Sequence, residues 1–303
     1  MMTDFDVAIL GGGLAGLTAG LFAAREGLEV TLFDQMGPGG QLNNVGQIDN
    51  FPGFPQGTTG TELASNTAEQ ALNAGLQFQF GEVSGLATNE NIWSVQTLME
   101  TVTAKAVIVA LGSNFAKLNV PGEEKFFGKG ISNCATCDGD FFRDEDVAVI
   151  GAGDSALDEA LHLTDVVRSI TIVNKNEDFT GTFVNREKLL SFEKVSVEHN
   201  AVVQNLDGDD QLKSITIITD GSEKKLDVTG AFVFVGLVPN SAILKELIAV
   251  DAAGHVECNL DMSTSQQGLY VAGDIRQQSS RQLVSVAGEG ATAAISVRDY
   301  LRK

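Results

Sequence analysis

The chain has 303 residues, of which 43% are hydrophobic, and it carries a formal net charge of -20. This length suffices for two domains with separate cores, and so acidic a balance argues against nucleic acid or an anionic membrane as a partner. Three cysteines are too few for a disulfide-stapled secreted fold, and three scattered histidines do not suggest a metal site. No apolar run reaches membrane-spanning length and the start lacks the basic segment of a signal peptide, so we expect a cytoplasmic protein.

A glycine-rich turn follows the first predicted strand. Residues 6–10 predict a buried parallel strand, and G-x-G-x-x-G then leads into a helix rich in small residues. The glycines of this pattern are Gly11, Gly13 and Gly16. In this context they allow a tight turn, close approach of a pyrophosphate and close packing of helix on strand, while Asp34, after the next strand, can accept hydrogen bonds from a ribose diol. The pattern therefore predicts a dinucleotide site.

A helix and a series of strands are predicted to complete this part of the chain. Apolar spacing predicts a helix over residues 61–74, and alternation predicts a meander over residues 76–104. The wholly apolar segment 107–111 predicts a central parallel strand that ends at Gly112. Two intervening loops are interpreted either as surface turns or as backbone wrapped around a large cofactor. These loops are residues 37–42 and 50–55.

The βαβ pattern occurs a second time, beginning at Asp146. Gly151 and Gly153 repeat the first two glycines of the turn, and Asn174 stands where the first copy has Asp34. A second meander is predicted from about residue 195 to 229. Near the C-terminus, a strand ending at Gly273-Asp274 precedes a small-residue helix over residues 284–301.

The predicted fold class is α/β, with two Rossmann-like three-layer ββα nucleotide-binding domains, the second inserted in the first. The first domain comprises residues 1–115 and 245–303. The inserted domain comprises residues 116–244 and contains the repeated glycine turn.

Cys134 and Cys137 are separated by two residues, a spacing that can form and open a small disulfide ring and so carry an electron pair. Asp138 follows at once, and its carboxylate can exchange the proton. A structural or metal-binding pair would call for further ligands, and Cys258, which stands alone, is interpreted as an inert thiol. Since the dithiol lies between two dinucleotide patterns, the sequence predicts electron transfer from a nucleotide cofactor to a disulfide.

Six motifs in order resemble low-molecular-weight thioredoxin reductase over nearly the whole chain. The motifs are the first G-x-G-x-x-G, Gly39-Gly40-Gln41-Leu42, Cys134-Ala-Thr-Cys137-Asp138-Gly139, Gly151-Ala-Gly153-Asp-Ser-Ala156, Val271-Ala-Gly273-Asp274 and Arg281-Gln282. The resemblance implies a homodimer, FAD in the discontinuous domain, and an inserted domain that rotates so that the dithiol alternately faces flavin and thioredoxin.

Individual roles follow from the same resemblance. The residues it assigns to FAD are Gly11, Gly13, Gly16, Asp34, Gln41, Asn50, Gly112, Asp274, Arg281 and Gln282. It implies that Cys137 lies nearer the flavin, that Cys134 attacks the disulfide of thioredoxin, and that Asp138 donates and accepts the proton.

The second nucleotide site departs from the NADPH-dependent relatives. In those relatives the position of Asn174 begins a His-Arg-Arg cluster that binds the 2′-phosphate, whereas residues 174–180 here contain one lysine, two carboxylates and no arginine. Each lost charge-assisted contact costs about 1.5–3 kcal/mol, so losing two or three weakens NADPH binding on the order of a thousandfold. The predicted site consists of Gly151, Gly153, Asp154, Ser155, Asn174 and Lys175.

These features favour a pyridine-nucleotide-independent branch of the family. That branch includes ferredoxin-dependent flavin thioredoxin reductases and the diflavin-linked disulfide oxidoreductases of cyanobacteria, which carry a second FAD in the former NADPH site. Ferredoxin, NADH and a second FAD stay open as alternatives, although the net charge of -20 opposes an acidic ferredoxin unless a local basic patch exists.

Two rival functions stay open as well, a flavin-bound redox sensor and an NADH-linked peroxiredoxin reductase. Four aromatic residues are interpreted as core packing rather than as stacking partners of a flavin or adenine. They are Phe141, Phe142, Phe179 and Phe183.

Overall fold

A computed structural model describes residues 3–303, and its internal contacts divide the chain into two compact units. Unit 1 combines the chain up to Asn114 with Val238–Lys303, and unit 2 is Phe115–Leu237. The sequence predicts the return to the first domain at residue 245, and the contacts place it at Val238. Which cofactor or redox group each unit serves stays a prediction at this stage.

Both units contain helices and strands. The helices are α1 (Leu14–Arg25), α2 (Gly60–Asn73), α3 (Glu123–Phe126), α4 (Ala135–Asp138), α5 (Asp154–Leu163), α6 (Phe183–Leu190) and α7 (Leu283–Leu301). The strands are β1 (Phe5–Leu10), β2 (Val30–Asp34), β3 (Gln77–Phe80), β4 (Val83–Asn89), β5 (Ile92–Thr97), β6 (Thr101–Val109), β7 (Ser113–Phe115), β8 (Ile131–Ser132), β9 (Asp146–Ile150), β10 (Ser169–Val173), β11 (Val195–Glu198), β12 (Ala201–Gly208), β13 (Leu212–Thr219), β14 (Ser222–Leu226), β15 (Gly230–Val233), β16 (Leu237–Pro239) and β17 (Leu269–Val271). Over residues 3–303, no helix combines the length and apolar character needed to cross a membrane.

The sheet of unit 1 has the order β3-β2-β1-β6-β5-β4, with β17 beside β6. β1, β2, β3 and β17 pair in parallel with their neighbours, and only β4, β5 and β6 are antiparallel neighbours. The predicted meander is therefore wrong for β3, because alternation of side chains does not reveal which strand will be the partner. The last part of the predicted meander, residues 102–104, and residues 107–109 of the predicted apolar strand belong to the single strand β6. In it the exposed Lys105 pairs with Asp6 at 2.7 Å.

The central parallel strand β1 of unit 1 is buried on both faces over residues 7–10. Val7 and Ile9 face a core formed with α1, α2 and α7. The alternate residues Ala8 and Leu10 face a second core, which contains Trp93 of the antiparallel strands. This arrangement explains why residues 7–10 of β1 are continuously apolar.

Unit 2 repeats the three-layer plan. Its parallel sheet has the order β11-β10-β9-β15-β8, and β12, β13 and β14 form an antiparallel sheet. Val147 and Val149 of β9 face the core under α5, while Ala148 and Ile150 face the antiparallel strands. The predicted α/β class with layered ββα units is therefore confirmed. The second meander is wrong for β11, which pairs in parallel with β10.

The four aromatic residues of unit 2 that the sequence analysis singled out divide into two pairs. Phe142 packs edge-on against Phe232, with ring centroids 5.4 Å apart, and Phe179 packs against His199 at 5.9 Å. Phe141 and Phe183 are 83% and 66% exposed, so the core interpretation is wrong for them. The guanidinium of Arg186 lies 5.1 Å from the Phe183 ring centroid, a cation–π contact at the surface.

Candidate active site and cofactor site

Cys134 and Cys137 form a disulfide in unit 2. Cys134 precedes the short helix α4, and its sulfur accepts a hydrogen bond from the backbone N–H of Cys137 at 3.1 Å. The N–H of Asp138 donates to the carbonyl of Cys134 at 3.1 Å. Backbone hydrogen bonds thus close the turn around the two sulfurs and place Asp138 at its end.

Ser132 connects this turn to the carboxylate of Asp138. The buried hydroxyl of Ser132 donates to Asp138 Oδ2 at 2.6 Å and accepts the N–H of Cys134 at 3.0 Å. This chain of hydrogen bonds fixes the predicted proton carrier relative to the cysteines. Ser132 was not predicted, because a serine in a two-residue strand belongs to no motif.

Glu159 is a second carboxylate at the turn. It lies on α5, and its Oε2 accepts the backbone N–H of Ala135 at 2.5 Å and that of Thr136 at 3.3 Å. Burial raises the pKa of Glu159 to about 7, although these two hydrogen bonds favour the ionised form. The sequence predicts the helix but not the face on which Glu159 lies.

The first glycine turn is held by the loop that follows β2. Asp34 Oδ2 accepts the N–H of Gly12 at 2.7 Å, and the N–H of Gly39 donates to the Gly12 carbonyl at 2.8 Å. A Cβ on Gly16 would lie 1.9 Å from the carbonyl oxygen of Gly11, so α1 approaches the turn as closely as glycine permits. A Cβ on Gly13 would meet nothing within 4 Å, which leaves open space beside the backbone.

Several residues assigned to FAD by resemblance are brought together in unit 1. Gln41 Nε2 donates to the carbonyl of Ser113 at 3.1 Å, and the Ser113 hydroxyl donates to the carbonyl of Asp274 at 3.4 Å. Asn50 Nδ2 donates to Gln282 Oε1 at 3.2 Å. Two separate sets of hydrogen bonds thus join residues that are far apart in sequence within unit 1, and their assignment to FAD stays a prediction.

Asp274 carries a buried oxygen that needs a donor. Among the described residues, Asp274 Oδ1 has no hydrogen-bond partner, and burial raises the pKa of this carboxyl group. The turn is fixed by Glu289, which accepts the N–H of Gly273 at 2.8 Å and pairs with Arg276 at 2.8 Å. A hydroxyl of a bound cofactor, such as those of the ribityl chain of FAD, would satisfy the oxygen. The space at Gly13 and this orphaned oxygen both fit FAD.

Gly112 and Arg281 complete the set assigned to FAD. Gly112 has φ +62, and a Cβ there would meet no atom within 4 Å. Arg281, at φ +56, places its Nη2 2.9 Å from His255 Nε2, and His255 Nδ1 lies 3.3 Å from Asp251. His255 is a partner that sequence reasoning missed, because the two residues stand 26 positions apart and share no motif.

The second glycine turn in unit 2 has the same backbone arrangement as the first. The N–H groups of Thr180 and Gly181 both donate to the Ala152 carbonyl at 3.0 Å, as Gly39 does to Gly12. Asp154 Oδ1 accepts the N–H of Thr182 at 2.7 Å, while Ser155 is exposed at the start of α5. In each unit, the loop that follows the second parallel strand therefore returns to the glycine turn and bonds to its backbone.

The side chain at the end of the second strand differs between the two turns. Asn174 is 1% exposed, its Oδ1 accepts the N–H of Asn176 at 3.1 Å, and its Nδ2 donates to the Asp178 carbonyl at 3.1 Å. The amide thus closes its own loop, while the neighbouring Lys175 is exposed. Asp34 Oδ1 likewise accepts N–H groups of its own loop, from Met36 and Gly37, but its Oδ2 in addition accepts that of Gly12 in the glycine turn.

Two glycine substitutions in the first turn should separate folding from cofactor binding. We expect Gly16→Ala to lower the free energy of unfolding of the apoprotein by about 3 kcal/mol or more, because its Cβ would overlap the Gly11 carbonyl. We expect Gly13→Ala to leave stability within about 1 kcal/mol and to raise the dissociation constant of FAD at least about tenfold, since its Cβ fills the open space. Denaturant unfolding and FAD fluorescence titration measure both. Unchanged FAD affinity in Gly13→Ala would contradict the placement of the cofactor.

Comparison with known proteins extends over almost the whole chain. The model of the pyridine nucleotide-disulphide oxidoreductase family matches residues 5–291. The chain is 37% identical over 302 residues to a thioredoxin reductase of Mycolicibacterium smegmatis, covering 99% of this chain and 97% of the relative. It is also 37% identical over 303 residues to a bifunctional thioredoxin reductase/thioredoxin of Mycobacterium leprae, covering 99% of this chain and 66% of that protein.

A solved structure shows the same architecture. The crystal structure of Lactococcus lactis thioredoxin reductase superposes with a TM-score of 0.96 at 33% identity, covering 99% of each chain. The chain therefore belongs to the pyridine nucleotide-disulphide oxidoreductase family, in which it is a thioredoxin reductase-like, flavin-dependent disulfide oxidoreductase.

Proposed function

We propose that the protein passes electron pairs through Cys134 and Cys137 to thioredoxin or a similar small disulfide protein, and that NADPH is not its efficient electron donor. The transfer through the two cysteines rests on one observation: a disulfide follows β8, and Asp138 is held beside it. The relative in which a thioredoxin reductase is joined to a thioredoxin supports the choice of partner. The cysteine usage favours the cytoplasm, and the resemblance favours a homodimer.

The residues of the turn suffice for the exchange reaction. FAD, when bound, would supply the electron pair with which the Cys134–Cys137 bond opens. The thiolate of Cys134 then attacks the partner disulfide and forms a mixed disulfide, and the thiolate of Cys137 attacks Cys134 and releases the partner as a dithiol. Asp138, hydrogen-bonded to Ser132, is placed to give and take the proton at the cysteines.

The structure of the second glycine turn bears on the electron donor. The positions that would carry a 2′-phosphate clamp hold Lys175 and Asn176, and the Asn174 amide is committed to its own loop. No guanidinium lies in residues 174–180 to form a bidentate contact with a phosphate. The relatives are thioredoxin reductases and give no support to this departure, which rests on the residues of the loop alone.

A second FAD in this turn is the alternative that the backbone favours over an empty site. The carbonyl of Ala152 receives the returning loop just as that of Gly12 does, so the second turn keeps the form of a dinucleotide cradle. Release of flavin by denaturation of the purified protein tests this alternative. About two FAD per chain would support it, whereas about one would leave ferredoxin or NADH as donor.

Substitution of the redox cysteines tests the transfer itself. We expect Cys134→Ser and Cys137→Ser each to abolish thioredoxin reduction driven by an artificial electron donor, because neither variant can form the disulfide. Cys258→Ser is the matched control and should keep full turnover, since burial raises the pKa of that thiol and keeps it unreactive. Steady turnover in either variant of the pair would overturn the proposal, and a redox sensor would show no turnover even in the unaltered protein.

Installing the missing guanidinium groups tests the inference about NADPH. We expect NADPH to reduce the flavin of the unaltered protein only at millimolar concentrations. The double variant Lys175→Arg with Asn176→Arg should lower the half-saturating concentration of NADPH at least about tenfold, because each charge-assisted contact is worth about 1.5–3 kcal/mol. Stopped-flow bleaching of the flavin measures both proteins, with NADH as the control lacking the 2′-phosphate. Saturation of the unaltered protein at micromolar NADPH would refute this part of the proposal.

A further inference from the structure

Glu159 occupies a position behind the redox turn that no role yet described explains. Its carboxylate receives the N–H groups of Ala135 and Thr136, the two residues between the cysteines. The side chain comes from another element, α5, and reaches the turn across 24 residues of sequence. Through these two hydrogen bonds, the carboxylate of Glu159 fixes the backbone between Cys134 and Cys137 from the side of α5.

We propose that Glu159 is a positioning residue for the Cys134–Cys137 couple, and that it takes up a proton when the disulfide is reduced. This inference rests on the proposed function only in that the couple must be redox-active.

The charge balance of the reduction gives the direction of the effect. In the oxidised state the couple is neutral, so the carboxylate of Glu159 meets only the two peptide N–H groups. Reduction breaks the S–S bond, and the electron pair leaves two sulfurs that share the incoming protons. When one sulfur stays a thiolate, a second negative charge faces Glu159, and the proton that this sulfur lacks is held on Glu159 instead.

Burial makes this exchange feasible near neutral pH. Burial raises the pKa of Glu159 to about 7 in the disulfide form, so the group is poised to gain or lose its proton where the enzyme works. A nearby thiolate raises this pKa further, because like charges disfavour joint ionisation. Above this pKa the carboxylate therefore opposes reduction, and below it the neutral acid does not.

Other titratable groups lie around Glu159, but among the described residues it is Glu159 that accepts the N–H groups of Ala135 and Thr136. Asp158, the preceding residue on α5, is exposed. Its charge raises the pKa of Glu159 less than burial does. His162 lies one turn further along α5, beside Gly139, and Asp138 is engaged by Ser132. On α6, which packs against α5, Arg186 is paired with Glu187 at 2.9 Å. The contacts to the two N–H groups between the cysteines belong to Glu159.

The test is an equilibrium titration of the couple in Glu159→Gln. The Cys258→Ser background removes the third thiol, and the flavoprotein is equilibrated anaerobically in mixtures of reduced and oxidised dithiothreitol before alkylation with a maleimide that shifts its mobility. Gln keeps an acceptor oxygen for the Ala135 N–H but carries no charge. We expect the equilibrium constant for reduction to rise about tenfold at about pH 8, equivalent to about 30 mV for this two-electron couple.

The dependence on pH distinguishes this role from a merely structural one. At about pH 6 the two proteins should agree within about twofold, because Glu159 is then protonated and neutral like Gln. The control Asp158→Asn removes an equal charge one residue away on the exposed side and should change the constant less than about twofold at either pH. Glu159→Asp, which keeps the charge, should retain the pH-dependent break.

Two outcomes would overturn the inference. One is a pH profile for Glu159→Gln that matches the unaltered protein throughout, and the other is an equal shift at both pH values. Failure of the proposed function looks different: a couple that titrates normally and shows the pH-dependent effect of Glu159→Gln, but does not reduce thioredoxin, would remove that function and leave the role of Glu159 standing. A couple that never equilibrates with dithiothreitol would overturn both.

Discussion

The arrangement of both units depends on one backbone contact, made where a loop returns from the second parallel strand to the glycine turn. Gly39 donates to the Gly12 carbonyl in unit 1, and Gly181 donates to the Ala152 carbonyl in unit 2. The contact brings the backbone of the loop against the turn and builds a cradle from peptide groups alone. A side chain on Gly16 would be forced against the Gly11 carbonyl, so the first cradle also requires a glycine in the helix that follows it.

Because the cradle is made of backbone, the side chains around it can diverge without loss of fold. In unit 1, Asp34 accepts the N–H of Gly12, and the buried Asp274 presents an oxygen that lacks a donor among the described residues. In unit 2, the amide of Asn174 is consumed by its own loop. The same architecture thus carries different side-chain chemistry at its two glycine turns.

The sequence predicts what short motifs encode. Gly11, Gly13, Gly16 and Asp34 follow from a spacing whose physical reasons are local, and the Cys134–Cys137 pair follows from two intervening residues. Contacts between distant elements could not be predicted, because they depend on pairing and on helix rotation. β3 joins the parallel edge of its sheet, and Glu159 reaches the redox turn from α5. Phe141 and Phe142 are adjacent and equally apolar, yet only Phe142 packs into the core.

The redox turn has a carboxylate on either side, and we propose that these two groups govern its chemistry. Asp138 is held at its C-terminal end by Ser132, and Glu159 binds the peptide groups between the cysteines. Both groups are acidic, and this is the basis of our proposal that the turn exchanges protons with the couple rather than stabilising a permanent thiolate. This property suits a couple that must be reduced and reoxidised in every cycle.

The central claim is that bound FAD and the Cys134–Cys137 couple form one electron-accepting unit. The most direct measurement is an anaerobic reductive titration that counts the electron pairs taken up per chain, beside the flavin content of the same sample. The account predicts one electron pair more than the number of bound FAD molecules, and loss of that additional pair in Cys134→Ser. An uptake equal to the flavin content in the unaltered protein would contradict it.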